Sequence, residues 1–237
     1  MPTHKNSKTA LALFAKTPEL GQVKTRLAAS IGDKMALEFH LAFISDSLEN
    51  VSQLTTPIDC YLYLTQAWNL SIAPFPKGLE NSQFRLKYQS DGDLGVRLST
   101  AFLELFSTYQ RVIIIGTDSP SLPISYLEEA ILALTKQDCV IGPAIDGGYY
   151  LIGLNREIKN LSEIFTDINW STEKVFLETT ACIQNKQLTL HSLPIWYDID
   201  TLPDLVRLEN DLLTLTNKCF STSKLLKIIS QKQQKRE

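Results

Sequence analysis

Apolar positions along this chain come in two alternating kinds of block. Residues 10–15, 58–64, 84–89, 111–115, 139–142, 149–154 and 188–193 form short runs that read as strands. The run Val112-Ile-Ile-Ile115 is apolar throughout, as in a strand buried on both faces of a parallel sheet. Between these runs, residues 23–29, 33–48, 94–106, 202–215 and 221–229 read as helices. In 33–48, Met35, Leu37, Phe39, Leu41, Phe43, Ile44 and Leu48 give a broad apolar face. Asp33 is the expected cap of that helix. Ser171 is the expected cap of a helix running to about Ile183, with Glu173 in its first turn. Another helix follows the 111–115 strand, with Pro123 near its first turn. Residues 68–81, with Pro74, Pro76 and Gly78, read as a loop-rich excursion. The runs 139–142 and 149–154 flank the tight turn Asp146-Gly147-Gly148 and are close enough to pair antiparallel. Alternation of strand and helix over most of the length predicts an α/β protein with a mostly parallel central sheet and helices on both faces. The expected organisation is a disordered lead (1–8), one domain (9–230) and a polar tail (231–237).

Composition narrows the function. The chain has 237 residues, 44% hydrophobic and 21% charged, which suits one large domain with a substantial core. A net charge of -3 gives no basic surplus to attract nucleic acid. No run approaches the roughly 20 apolar residues needed to span a bilayer, and the first residues lack the apolar core of a signal peptide. The four cysteines, Cys60, Cys139, Cys182 and Cys219, show no Cys-x-x-Cys spacing and read as free thiols of a reducing compartment. The expected location is the cytoplasm. His4, His40 and His191 have no metal spacing, and no Gly-x-Ser-x-Gly elbow occurs, so histidine-based nucleophilic catalysis is not indicated.

Five segments could carry chemistry. Phe14-Ala-Lys-Thr-Pro-Glu-Leu-Gly-Gln-Val-Lys-Thr-Arg-Leu27 follows the first strand and leads into a helix. Its free backbone N–H groups, together with Lys16, Lys24 and Arg26, suit phosphate, and Gly21 permits close backbone approach. It lacks the glycines of a P-loop. Gln89-Ser-Asp-Gly-Asp-Leu-Gly-Val-Arg97 is either a helix cap supplied by Asp91 or Asp93 or a second ligand-facing turn. Arg97 is the residue a cap does not explain, because a cation opposes the helix dipole there. Thr117-Asp118-Ser119-Pro120 leaves the end of the 111–115 strand, the edge where open α/β sheets bind ligands; a helix cap is the alternative. Gly142-Pro-Ala-Ile-Asp146-Gly-Gly-Tyr149-Tyr-Leu151 is either a hairpin turn or a close ligand approach, with Asp146 able to accept a proton from a substrate hydroxyl. In Trp196-Tyr-Asp198-Ile-Asp200-Thr-Leu-Pro, alternation puts two carboxylates on one side, a magnesium-type donor pair. Thr201 suffices to cap the helix that follows. Tyr149 and Trp170 could pack on a sugar or base, or simply in the core.

In order along the chain, the motifs F-A-K-T-P-E-L-G-Q-V-K-T-R-L, D-G-D-L-G-V-R, I-G-T-D-S-P-S-L-P, G-P-A-I-D-G-G-Y-Y-L-I-G-L, W-S-T and D-I-D-T-L-P-D-L resemble the GT-A-like transferases known as radical-SAM/selenodomain-associated transferase type 1, a group also described as glycosyltransferases of arsenosugar biosynthesis. The resemblance implies a nucleotide-diphospho-sugar transferase fold, shared more distantly with nucleotidyltransferases. It implies nucleotide binding by Lys16, Gly21, Lys24 and Arg26, with Gln89, Asp93 and Arg97 expected at the same phosphate site. It implies a divalent ion, Mg²⁺ or Mn²⁺, at Asp118 with Asp198 and Asp200. Asp146 is the residue expected to position or deprotonate an acceptor hydroxyl. The Asp-x-Asp common in glycosyltransferases is replaced at the opening site by Asp118-Ser-Pro. The expected activity is transfer from a nucleotide-sugar to a small-molecule acceptor. The alternatives are nucleotidyl transfer from a nucleoside triphosphate, with release of pyrophosphate, and a non-catalytic nucleotide-binding module.

Overall fold

The apolar alternation of the first strand decides the layering. In β1 (Thr9–Ala15), Leu11, Leu13 and Ala15 enter one hydrophobic layer while Ala10 and Ala12 enter the other, and all are buried. β4 (Arg111–Gly116) repeats this, with Ile113 and Ile115 against Val112 and Ile114. Strands with no polar face need cover on both sides, which a parallel sheet between helices provides. The computed structural model, which describes residues 8–71, 84–215 and 219–234, shows such a sheet.

The other strands are β2 (Asp59–Leu64), β3 (Phe84–Tyr88), β5 (Cys139–Pro143), β6 (Tyr149–Asn155) and β7 (Leu190–Ser192). Their order is β3-β2-β1-β4-β6-β5-β7. β1 runs parallel to β2 and β4, β2 to β3, and β5 to β7. β6 runs antiparallel to both of its neighbours, β4 and β5, as the short spacing of the two runs predicts.

The helices are α1 (Thr25–Ile31), α2 (Asp33–Ser52), α3 (Leu94–Phe106), α4 (Ile124–Ala133), α5 (Val175–Asn185), α6 (Leu202–Asp211) and α7 (Phe220–Gln234). Ile44 and Leu48 of α2 and Leu127 and Ile131 of α4 fill the layer on one face. Leu98 and Phe102 of α3, Ile183 of α5 and Phe165 of a 3-10 turn (Leu161–Phe165) fill the other. A third cluster joins α1, α2, α6 and α7 through Leu27, Phe39, Phe43, Leu205, Leu208 and Leu226. Thus α2 serves two layers at once, which accounts for its broad apolar face.

Several helix ends differ from the sequence pattern. Gly32, not Asp33, is the N-cap of α2, and Asp33 is the acidic residue of its first turn. α5 begins at Val175, past Ser171 and Glu173, and Glu178 supplies its acidic first turn. Ser171 itself is left-handed, with φ 66°. Local side-chain bonds hold this segment off the helix: Thr172 Oγ1 donates to the Asn169 carbonyl, and Lys174 N–H donates back to Thr172 Oγ1. α6 stops at Asp211, short of the expected 215. α7 runs to Gln234, so the start of the expected polar tail is helical. Thr201 and Asp204 form a capping box at α6, as the sequence suggests for Thr201. Residues 1–7 of the expected lead (1–8) and most of the 68–81 excursion lie outside the described residues.

One buried carboxylate ties α2 to α7. Asp46 accepts the Ser221 N–H at 2.9 Å and the Thr222 N–H at 2.8 Å, capping the α7 start from another helix. Asp46→Ala is expected to cost about 1–2 kcal/mol by leaving those donors unpaired. Urea unfolding of the variant should show a lower midpoint with unchanged slope, and an unchanged midpoint would contradict this role.

Candidate functional site

The carboxyl ends of β1 and β4 lie side by side, and the chain leaves each of them on the same edge. Past β1 comes the Lys16 loop; past β4 comes Asp118. The 144–148 turn after β5 and the 197–200 segment reach the same edge. A backbone bond from Ile199 N–H to the Asp118 carbonyl, 2.9 Å, fixes that last segment beside Asp118. Ile199 is fully buried in the helical cluster, so its neighbours Asp198 and Asp200 both face the other way, into the cleft. The cleft has a volume of about 710 Å³ and is also lined by Lys16, Lys24, Arg26, Asp146, Tyr149 and Trp170.

Lys24 is the central group. Its backbone is left-handed, φ 48°, at the start of α1, and its side chain is only 4% exposed. The ammonium lies 2.7 Å from Asp118 Oδ1 and 2.9 Å from Asp200 Oδ1, and donates to the Ile199 carbonyl at 2.8 Å. Phe43 stands 5.4 Å below it, ring face toward the charge. Burial alone would discharge Lys24, but Asp118 and then Asp200 outweigh it and hold its pKa above the ordinary value. Burial would likewise raise Asp118, yet Lys24 holds it below the usual carboxylate range. Asp118 is deep in the fold but 46% of its side chain still meets the cleft solvent.

Asp198 behaves differently. Burial first, and then the Asp118 charge, push its carboxyl up to about 7. The Ser119 hydroxyl donates to Asp198 Oδ1 and opposes that rise. Asp146 adds further repulsion from the 144–148 turn. One Asp146 oxygen accepts the Gly148 N–H at 2.9 Å, so the hairpin turn and the cleft-lining carboxylate are both real. Gly147 makes that turn possible: its φ is 88°, and a Cβ there would sit 2.1 Å from the Glu173 carbonyl oxygen.

The remaining sequence candidates divide. Arg26 is 78% exposed at the cleft mouth, 4.0 Å from Asp200 Oδ2. Lys16 is exposed, and its loop is braced from two sides. His40 Nε2 lies 2.8 Å from the Lys16 carbonyl, and Thr17 exchanges bonds with Thr65 and Gln66. Because its partner is an acceptor, His40 carries its proton on Nε2, and burial holds the imidazole below its ordinary pKa. Gly21 shapes the turn, φ 75°, outside the cleft lining. α1 has seven residues, so the charge facing the cleft comes from side chains more than from a helix end.

Gln89, Asp93 and Arg97 stand outside the lining of this cleft, and each has a local partner. Gln89 bridges the Ala15 and Tyr63 carbonyls at 3.2 and 3.1 Å and so ties together the ends of β1 and β2. Asp93 caps α3 by accepting the Val96 N–H at 2.9 Å. Arg97 folds back to the Gly92 carbonyl at 2.9 Å, which accounts for a cation in that first turn. Sequence reading missed Ser119 and His40. Ser119 was visible only as a helix-capping candidate, and His40 had no local signal.

The donor set bears on a divalent ion. Among the described residues, no group of three or more His, Cys, Asp or Glu side chains forms a metal cage. The three aspartates do converge, but Lys24 stands between Asp118 and Asp200. Asp118 and Asp198 are left as two acids that line the cleft and repel each other when both are ionised, a donor pair that suits a magnesium-type ion completed by water or phosphate oxygens.

A mainly parallel sheet with one reversed strand, helices on both faces and a charged cleft at its carboxyl edge is the nucleotide-diphospho-sugar transferase fold. The chain superposes on a Desulfovibrio desulfuricans G20 protein named as a provisional nucleotide-diphospho-sugar transferase, with TM-score 0.83 and 30% identity over 94% of this chain and 95% of that one. By sequence the chain belongs to the family described as an uncharacterized protein conserved in bacteria (DUF2064), which matches residues 48–172. The fold is shared with CMP:2-keto-3-deoxy-manno-octonic acid synthetase complexed with CTP, at TM-score 0.55 and 10% identity over 87% of this chain and 99% of that one. It is also shared with the manganese complex of Rv0371c from Mycobacterium tuberculosis H37Rv, at TM-score 0.52 and 12% identity over 85% and 98%. No protein of curated function matches the chain in sequence. No helix among the described residues is long and apolar enough to cross a membrane.

Asp198 gives the site a pH signature. Between about pH 4 and pH 7 its carboxyl is protonated in the folded chain and ionised in the unfolded one. Its contribution to stability therefore falls as pH rises through that window and is level above it. Asp198→Asn in chelator-treated protein is expected to gain thermal stability relative to wild type from pH 4 to 7, then hold a constant advantage. A difference independent of pH would refute the raised carboxyl.

Proposed function

We propose that this protein is a metal-dependent transferase that uses a nucleotide-activated donor, a glycosyltransferase acting from a nucleotide-sugar on a small-molecule acceptor. The observation that supports it most is the meeting of the Lys16–Arg26 cationic loop with Asp118 and Asp198 across one cleft at the carboxyl edge of β1 and β4. Arg26 and Lys16, both exposed, meet the donor phosphates first, and Lys24 lies behind them. Asp118 and Asp198 would hold Mg²⁺ or Mn²⁺, which when bound supplies positive charge to the leaving diphosphate. Asp200 anchors Lys24. Asp146 accepts the proton of an acceptor hydroxyl, and its turn is rigid because Gly148 N–H holds one oxygen and the Phe176 N–H holds the Gly147 carbonyl. Tyr149 and Trp170 form the apolar wall for a sugar or base. The ordered motifs support placement among the radical-SAM/selenodomain-associated transferases, and the four free cysteines support a cytoplasmic site of action.

A second reading, nucleotidyl transfer from a nucleoside triphosphate, is favoured by Asp118-Ser-Pro standing where glycosyltransferases commonly carry Asp-x-Asp, and by the fold shared with a CTP-bound synthetase. Thermal-shift measurements with nucleotides and nucleotide-sugars, with and without Mn²⁺, separate the two. A nucleotide-sugar is expected to stabilise the protein most, by several degrees, only with Mn²⁺, and Asp118→Ala should remove that dependence. A larger shift with a nucleoside triphosphate selects the second reading. If no nucleotide or nucleotide-sugar stabilises the protein, the transferase reading fails.

A further inference from the structure

We infer that Lys24 is a built-in counter-ion that keeps the carboxylate site closed to a divalent cation until a phosphate-bearing ligand draws its ammonium away. The inference rests on the transferase reading above and adds an order to it: anionic ligand and metal bind together, and neither fills the site well alone.

The geometry of the ammonium carries this. A lysine has three N–H donors and no acceptor. Here they meet three oxygens, Asp118 Oδ1 at 2.7 Å, the Ile199 carbonyl at 2.8 Å and Asp200 Oδ1 at 2.9 Å. The cage is complete for an ammonium. It uses the same Asp118 that, with Asp198, would ligate a metal. A divalent ion at Asp118 would therefore lie next to a buried like charge. Lys24 also holds a left-handed backbone, φ 48°, unusual for a long side chain, from which it reaches into the cage.

Release of the ammonium needs a competing anion, and the cleft provides the approach. Arg26, in the first turn of α1, and Lys16, on the preceding loop, are exposed and line the same cleft as Lys24, so phosphate oxygens gathered there approach its ammonium. Once the ammonium turns to phosphate, Asp118 and Asp200 lose their counter-charge, and a divalent ion becomes the favourable replacement. Metal and anion then bind with positive coupling, each raising the affinity of the other.

The test is Mn²⁺ binding to the full chain without nucleotide, followed by the electron paramagnetic resonance of free Mn²⁺, in wild type, Lys24→Met and Lys24→Gln. Circular dichroism confirms folding, and Lys24→Gln keeps hydrogen-bond donors should the methionine variant not fold. Both variants are expected to bind Mn²⁺ at least about tenfold more tightly than wild type. Asp118→Asn in the Lys24→Gln background should abolish the gain. In thermal shift, Mn²⁺ with a nucleoside triphosphate should stabilise wild type by more than the sum of the two separate shifts. Equal Mn²⁺ affinity in wild type and both variants overturns the inference, and if nucleotide plus Mn²⁺ still stabilises wild type the transferase reading stands. A gain of Mn²⁺ affinity in the variants with no nucleotide effect in any protein upholds the counter-ion, overturns its release by a phosphate-bearing ligand, and overturns the transferase reading.

Discussion

The ion cluster of Lys24 with Asp118 and Asp200 is the constraint around which this end of the molecule is arranged. Two carboxylates brought together at the end of a buried sheet repel each other and lose hydration. One ammonium with three satisfied donors offsets both costs. It also joins three distant stretches of chain: the loop after β1, the turn after β4 and the segment before α6. The bond from Ile199 to the Asp118 carbonyl sets the spacing, and burial of Ile199 sets which way Asp198 and Asp200 face. Asp198 is the carboxylate left outside the cage, and burial, then the Asp118 charge, raise its pKa.

Packing supplies the rigidity that this charge arrangement needs. α2 lies between the sheet layer and the helical cluster, and it presents His40 to the Lys16 carbonyl and Phe43 to the Lys24 ammonium. Gln89 braces the strand ends from the other side. The cationic loop is therefore held by neighbours on both flanks, although much of it lies at the surface.

How much of this could be read from the sequence follows from the range of each interaction. β1 and β4 were legible because a short, unbroken apolar run bounded by polar residues packs well as a strand covered on both faces. The antiparallel entry of β6 was legible from the short link between two apolar runs. Lys24, Asp118, Asp198 and Asp200 were each recognisable as groups suited to a charged ligand. Their mutual pairing was not, because Lys24 and Asp200 are 176 residues apart and nothing local records that contact. Ser171 looked like a cap because serine commonly is one, but bonds among Asn169, Thr172 and Lys174 outcompeted the helix. Asp93 and Arg97 show the reverse: the plain capping role explains Asp93, and Arg97 simply bonds back to its own turn.

The reversed strand β6 also acts as a ruler. Because it is inserted between β4 and β5, the ends of those two strands, Gly116 and Pro143, are two sheet spacings apart, about 10 Å. Neither turn can drift toward the other without breaking two ladders of backbone hydrogen bonds. The turns that carry Asp118 and Asp146 therefore leave the sheet from strand ends of fixed separation, and the width of the cleft floor between them is set by backbone pairing rather than by any side chain.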